Sequence, residues 1–157
     1  MKNGKLVPPV SGIFLCLIFG ASLFLFVRYQ KNWHQYVLFF PQYKDEEVVE
    51  TEFRKFPMKE SAEENMQSLI QEVLLGPEDL RHIAIMPEST ELQSLLFRKG
   101  ELFVDFSSEL LFSGEAPQLS LREQISLIEK ALRFNFREIE EIVFTIEGEL
   151  PRIPDNS

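Results

Sequence analysis

The chain has 157 residues, 25 of them acidic and 16 basic, for a net charge of −9, with one cysteine, Cys16. Its apolar fraction of 45% excludes a disordered chain, and the lone cysteine excludes an internal disulfide framework or a cysteine metal site. The first 28 residues hold Lys2, Lys5 and Arg28 and no acid, so the remainder carries 13 basic against 25 acidic groups; such a domain repels phosphate backbones, and nucleic acid is not an expected partner.

Leu6 to Val27 is a run of 22 residues without a charge. As a helix it rises about 33 Å at about 1.5 Å per residue, which matches the about 30 Å hydrocarbon core of a bilayer. Val10, Phe14, Leu17, Phe24 and Val27 mark the run, and Arg28, Tyr29, Lys31 and Trp33 behind it suit the headgroup level. The pattern predicts a cytoplasmic N-terminus (1–5), a transmembrane signal anchor (6–28) and a juxtamembrane linker (29–34), with the lipid bilayer as a partner. Gly20-Ala21-Ser22 offers a cleavage site, but Leu23 to Val27 continue the apolar run past it, against a cleaved signal peptide. Leu15 stands before Cys16 where a lipoprotein has a small residue. Lys2 and Lys5 favour an N-terminus inside and a domain outside, by a narrow margin over Arg28 and Lys31.

Tyr36 to Phe40 reads as a strand that stops at Pro41. Val49, Thr51 and Phe53 alternate with glutamates, as in a second, half-exposed strand. Ser61 and Glu64 form a capping box, and Ala62, Met66, Leu69, Ile70, Val73 and Leu74 follow at helical spacing on one face. Gly76-Pro77 stops that helix, and residues 78–89 form an irregular connection. Leu92 to Arg98 is a strand, Lys99-Gly100 a tight turn, and Leu102, Val104 and Phe106 alternate along the return strand. A loop over 113–118 leads to a second capping box at Ser120 and Glu123, which opens a helix with Leu121, Ile125, Ile128 and Leu132 on one face. Ile142, Phe144 and Ile146 make the last strand, closed by Gly148, and 150–157 is a polar tail. Two amphipathic helices need a sheet face to bury against, so the expected α/β fold is a two-layer sandwich: a small mixed sheet with both helices on one face, preceded by one transmembrane helix.

Leu75-Gly76-Pro77 after the first helix, Met86-Pro87-Glu-Ser-Thr-Glu-Leu92 before the hairpin, Val104-Asp105-Phe106-Ser107 in its return strand and Ile142 to Gly148 at the end stand in an order that resembles the GerMN domain of bacterial sporulation, germination and other envelope proteins. The resemblance covers residues 35–149. Ala131-Leu132 stands where that family usually has Thr-Leu, and Arg133 to Arg137 is also atypical. The resemblance implies an extracytoplasmic domain that serves protein assembly rather than catalysis, and it does not imply a spore-forming source.

Candidate chemistry is sparse. His34 and His82 show no metal-ligand spacing and are expected in surface or packing roles. Asp105 and Ser107, two residues apart on a strand, would share a face, but neither a base nor an oxyanion site accompanies them; they are expected to cap or tether the loop that follows through local side-chain to backbone bonds. Glu101 and Glu109 form no inferable acid–base pair, the acidic run Glu138 to Glu141 reads as a solvated turn, and no glycine-rich phosphate loop is present, so no cofactor is expected. Phe103 points away from Leu102 and Val104; together with Phe39, Val37 and Val143 it would make an exposed apolar patch. The chain therefore reads as a membrane-tethered, non-catalytic interaction module that meets an envelope protein or a copy of itself. The alternatives are a sensor of a cell-wall fragment or small molecule, which needs a defined pocket, and a hydrolase using Asp105.

Overall fold

The computed structural model describes residues 9–30, 33–111 and 119–151. The chain divides into two units, Met1–His34 and Gln35–Ser157. In the first, helix α1 runs from Pro9 to Gln30, with Arg28 in its last turn, where a cation complements the helix dipole. Phe14, Leu17, Phe24 and Val27 are each more than half exposed, and α1 has no polar face; the side chain of Val10 lies outside the described residues. Among the described residues no helix is long and apolar enough to cross a membrane.

After α1 come β1 (Trp33–Pro41), which begins two residues before the second unit, and then, within that unit, β2 (Val49–Pro57), α2 (Ala62–Leu74), β3 (Leu92–Arg98), β4 (Glu101–Phe106), a 3-10 turn (Ser108–Leu111), α3 (Leu121–Asn135) and β5 (Glu141–Ile146). The element order is the one the periodicity predicts, with the 3-10 turn added and with β1 starting inside the predicted linker. Both capping boxes form: Ser61 Oγ accepts the Glu64 N–H at 3.1 Å while Glu64 accepts the Ser61 N–H, and Ser120 and Glu123 repeat the exchange. The β3–β4 turn has Lys99 at φ 54° and Gly100 at φ 86°, the left-handed pair that matches the twist of a two-residue hairpin. The loop 113–118 and the tail beyond Pro151 lie outside the described residues.

One expectation is corrected. The strands form two sheets, β1–β2 and β3–β4–β5, instead of one. In the second sheet β4 is central, antiparallel to β3 and parallel to β5. The reason lies along β1. Its even-numbered edge faces β2, where the Gln42 N–H reaches Val48 O at 2.9 Å. Its odd-numbered edge is closed without a strand. Asn135 Oδ1 accepts the Val37 N–H at 3.0 Å and Asn135 Nδ2 donates to Val37 O at 2.8 Å, while Ile83 N–H donates to Pro41 O and Tyr43 N–H to Arg81 O. Side-chain and loop partners therefore stand at Val37, Pro41 and Tyr43, where a neighbouring strand would otherwise pair.

The core is continuous between the helices and the inner faces of the strands. Phe40, Leu38, Met66, Ile70, Leu102, Val104, Phe106, Ile128 and Leu132 are fully buried, and each contributes about 1.5–3 kcal/mol by leaving water. On α3 the buried face also includes Gln124, Leu127 and Ala131, while Leu121 and Ile125 pack at its margin.

A second correction concerns β2. Its alternation suggests that Phe53 faces inward, yet Phe53 is 64% exposed, while Arg54 on the other face is 7% exposed. Glu50, Glu52 and Arg54 turn toward the protein because partners wait for them there.

Candidate interaction surface

On the outer face of the three-stranded sheet the register aligns three rows. The middle row is Leu96, Phe103 and Val143, one residue from each strand. Leu96 and Phe103 are exposed and Val143 partly so. On one side lies Ser94, Asp105 and Thr145; on the other, at the hairpin end, lies Arg98, Glu101 and Glu141. The face is therefore an apolar stripe between a hydroxyl-and-acid row and a charged row. Phe103 and Val143 are brought together as the alternation suggests. Phe39 is not part of the patch: it is buried, with Phe134 edge-on at 5.6 Å and the Lys130 ammonium 4.5 Å from its ring centre. Val37 also packs against the core.

Asp105 and Ser107 serve the frame of this sheet, and they act apart. Asp105 Oδ1 accepts from Thr145 Oγ1 at 2.6 Å and from the Gly148 N–H at 2.9 Å. It thereby fastens the turn after β5, where Glu147 and Gly148 both take positive φ. Ser107, buried just past the end of β4, accepts the Glu91 N–H at 3.0 Å while its own N–H donates to Glu91 O. The motif therefore holds the segment that leads into β3 and the turn after β5 to the same central strand. These bonds reach segments 16 to 43 residues away, where local bonds to the loop that follows were expected. Pro87 is buried and its carbonyl accepts the Thr90 N–H, which shapes the Met86–Thr90 turn.

The Gly76 carbonyl belongs to a buried ionic network that sequence reasoning missed. Arg54 Nη2 donates to Gly76 O at 2.6 Å and to Glu52 at 3.1 Å, and Nη1 donates to Glu72 O and to Glu72 Oε2, both at 3.1 Å. The guanidinium thus closes the C-terminus of α2, where carbonyls lack partners and a cation is favoured. Gly76 holds φ 82° there, a backbone state that favours glycine. Glu52 also accepts the N–H groups of Glu78 and Asp79 and meets His82 Nδ1 at 2.7 Å, while His82 Nε2 meets Glu50 at 3.0 Å. His82 is buried and lies parallel to Phe40. Its burial disfavours the imidazolium, but the hydrogen bonds to Glu50 and Glu52 win and hold its pKa above the ordinary value. His82 and Gln42 hold Glu50 below the ordinary carboxylate range. Burial pushes Glu52 up, and the bonds from His82, the two backbone N–H groups and Arg54 outweigh it, leaving Glu52 lowered. Arg81 holds Asp79 at about 2. His82 is thus packed in the interior against Phe40, with both ring nitrogens held by carboxylates. The available signal was Glu50-x-Glu52-x-Arg54, three charges on one strand face with a histidine elsewhere to meet them.

His34 is exposed on β1, and Glu101, Glu109, Glu138, Glu140 and Glu141 are exposed as well. Among the described residues no group of His, Cys, Asp or Glu is arranged to hold a metal ion. An open hollow of about 350 Å³ is lined by Gln42, Tyr43, Lys44, Leu80 and Arg81.

The family described as "Germane: Sporulation and spore germination" matches residues 37–150. A search of curated proteins found no match. Among solved structures, the first GerMN domain of the sporulation protein GerM from Bacillus subtilis has a TM-score of 0.54 at 18% identity, over 79% of this chain and 90% of that one. The tandem GerMN domains of the same protein have a TM-score of 0.56 at 16% identity, over 76% of this chain and 40% of that one. This chain therefore spans less than half the length of the tandem structure, and at these identities the likeness shows the fold alone. The family match covers most of the chain and coincides with the domain built around the Val104–Ser107 clamp: the chain belongs to the Germane family of GerMN-type sporulation and spore germination domains.

Proposed function

We propose that this protein is a non-catalytic interaction module held to the outer side of a bacterial membrane by α1, and that its outer sheet face is the docking surface. The observation that carries the reading is the exposed row Leu96–Phe103–Val143. A soluble domain gains nothing from an apolar stripe in water unless something covers it. The residues that would suggest chemistry, Asp105 and Ser107, already hold the fold together. The tether is supported by α1, which is apolar on every side and exposed along residues 12–28; a helix of that kind needs an apolar environment. The uncharged run in the sequence is longer than this described stretch.

In-cell crosslinking of the full-length chain, followed by purification and mass spectrometry, tests the reading. Crosslinks should map to the outer sheet face and fall away in Phe103→Asp, with the melting temperature unchanged. Crosslinks that persist in the folded variant, or none while a known envelope complex crosslinks normally, would overturn it.

A further inference from the structure

Resting on that reading, we propose that the outer sheet face docks a second copy of this same chain, through a two-fold contact. The argument is the order of charge and apolar residues across the strands. The edge strand β3 carries Leu96 and Arg98 outward, central β4 carries Phe103 and Glu101, and the opposite edge β5 carries Val143 and Glu141. The cation sits on one edge and an acid on the other. Aligned sheets pack face to face about 10 Å apart. A half-turn about an axis parallel to the strands keeps each row opposite its own row and exchanges the edges. Phe103 then meets Phe103 at the centre, Leu96 of each copy meets Val143 of the other, and Arg98 of each copy meets Glu141 of the other. Such self-complementarity is what an isologous contact requires. Arg98 and Glu141 are exposed and make no ion pair among the described residues, so both are available. The same axis brings the two Glu101 side chains together at the hairpin rim and the two Asp105 side chains together in the opposite row, unfavourable like-charge pairs that limit affinity.

Size sets the regime. Three strands about 4.8 Å apart and six residues at about 3.3 Å each give a face of about 290 Å², against about 800 Å² per partner in a stable complex. The contact is therefore weak in free solution and operates where a membrane concentrates the chains.

The test uses the full chain with Cys16→Ser and Phe103→Cys, reconstituted in phosphatidylcholine vesicles, and reads the disulfide-linked dimer under mild oxidation. Leu80→Cys, at a fully exposed position in the other connection, is the collision control. The Phe103→Cys chain should crosslink faster than the control. Adding Arg98→Glu or Glu141→Arg should each slow it by about tenfold, since two rim ion pairs turn repulsive. A one-to-one mixture of those two variants should recover the rate between unlike chains, because each introduced charge then meets its opposite. Glu101→Gln should raise the rate.

A rate no faster than the control, or charge variants without effect, or a mixture that does not recover, overturns the proposal. Chains that fail to float with the vesicles remove the tether and the proposal together. If the self-contact fails while Phe103→Asp still abolishes crosslinks to other envelope proteins in cells, the face belongs to a different partner and the interaction reading stands. If those crosslinks also persist, both readings fall.

Discussion

Asn135 completes β1 by pairing its side-chain amide with both backbone polar groups of Val37, accepting the N–H at 3.0 Å and donating to the carbonyl at 2.8 Å. Its Nδ2 also donates to Ala131 O. A single residue at the end of α3 thus does for Val37 what a neighbouring strand would do, and it joins the last turn of the helix to the first sheet.

Asn135→Ala should leave the Val37 N–H and carbonyl without partners in a partly buried position. Each orphaned group costs about 1–3 kcal/mol, so urea unfolding should show a loss of about 2 kcal/mol. Asn135→Asp keeps an acceptor but loses the donor, and should be no better than halfway between. A wild-type midpoint in Asn135→Ala would mean that solvent satisfies this edge.

Arg54→Leu should be more damaging. It leaves Glu52, whose side chain is 11% exposed, with a weaker set of partners, and it removes the donor to Gly76 O. Removing one partner of a buried ion pair costs about 3–5 kcal/mol. Arg54→Lys should also destabilise, because one ammonium cannot reach Glu52, Glu72 and Gly76 O together. Chemical denaturation of the three proteins checks the order wild type, Lys, Leu.

The His82 pair makes stability depend on pH with a definite sign. Its pKa is raised by folding, so its contribution is complete below the unfolded value of about 6.5 and is lost as pH rises through the higher folded value. Glu50 and Glu52 are lowered, so theirs is complete above about 4.3 and is lost as pH falls through the folded values. Stability from this network should therefore peak between about pH 4.5 and 6.5. In His82→Phe the decline from pH 6 to pH 9 should flatten. An unchanged slope would show that the imidazole binds the same number of protons folded and unfolded.

Asp105→Ala should lose the bonds to Thr145 and Gly148, and Ser107→Ala the bond to Glu91, for about 1–2 kcal/mol each. Amide exchange should rise at Gly148 in the first and at Glu91 in the second. If instead both variants keep wild-type exchange and stability, the clamp has no structural role and the hydrolase reading of Asp105 regains ground.

Much of the domain is written locally. The capping boxes at Ser61 and Ser120, the Lys99-Gly100 turn and the apolar spacing of Met66, Ile70, Ile128 and Leu132 depend on neighbours within one helical turn or one hairpin, so the element order is legible residue by residue. The outward Phe103 is legible for the same reason, since alternation within β4 settles its face. What depends on partners far along the chain is not. The face of β2 is decided by whether buried charges find partners, and those are supplied by His82, 30 residues from Glu52, and by the α2 end at Gly76, 22 residues from Arg54. Phe39 is buried because α3 lays Phe134 and Lys130 over it, and the Val37 backbone is met by Asn135, 98 residues away. The sequence by itself determined the helices, the hairpin and the family, because propensity, capping and alternation act over a few residues. Only the tertiary structure decided which polar groups are buried, because satisfying a buried hydrogen bond or charge is a condition on the whole fold.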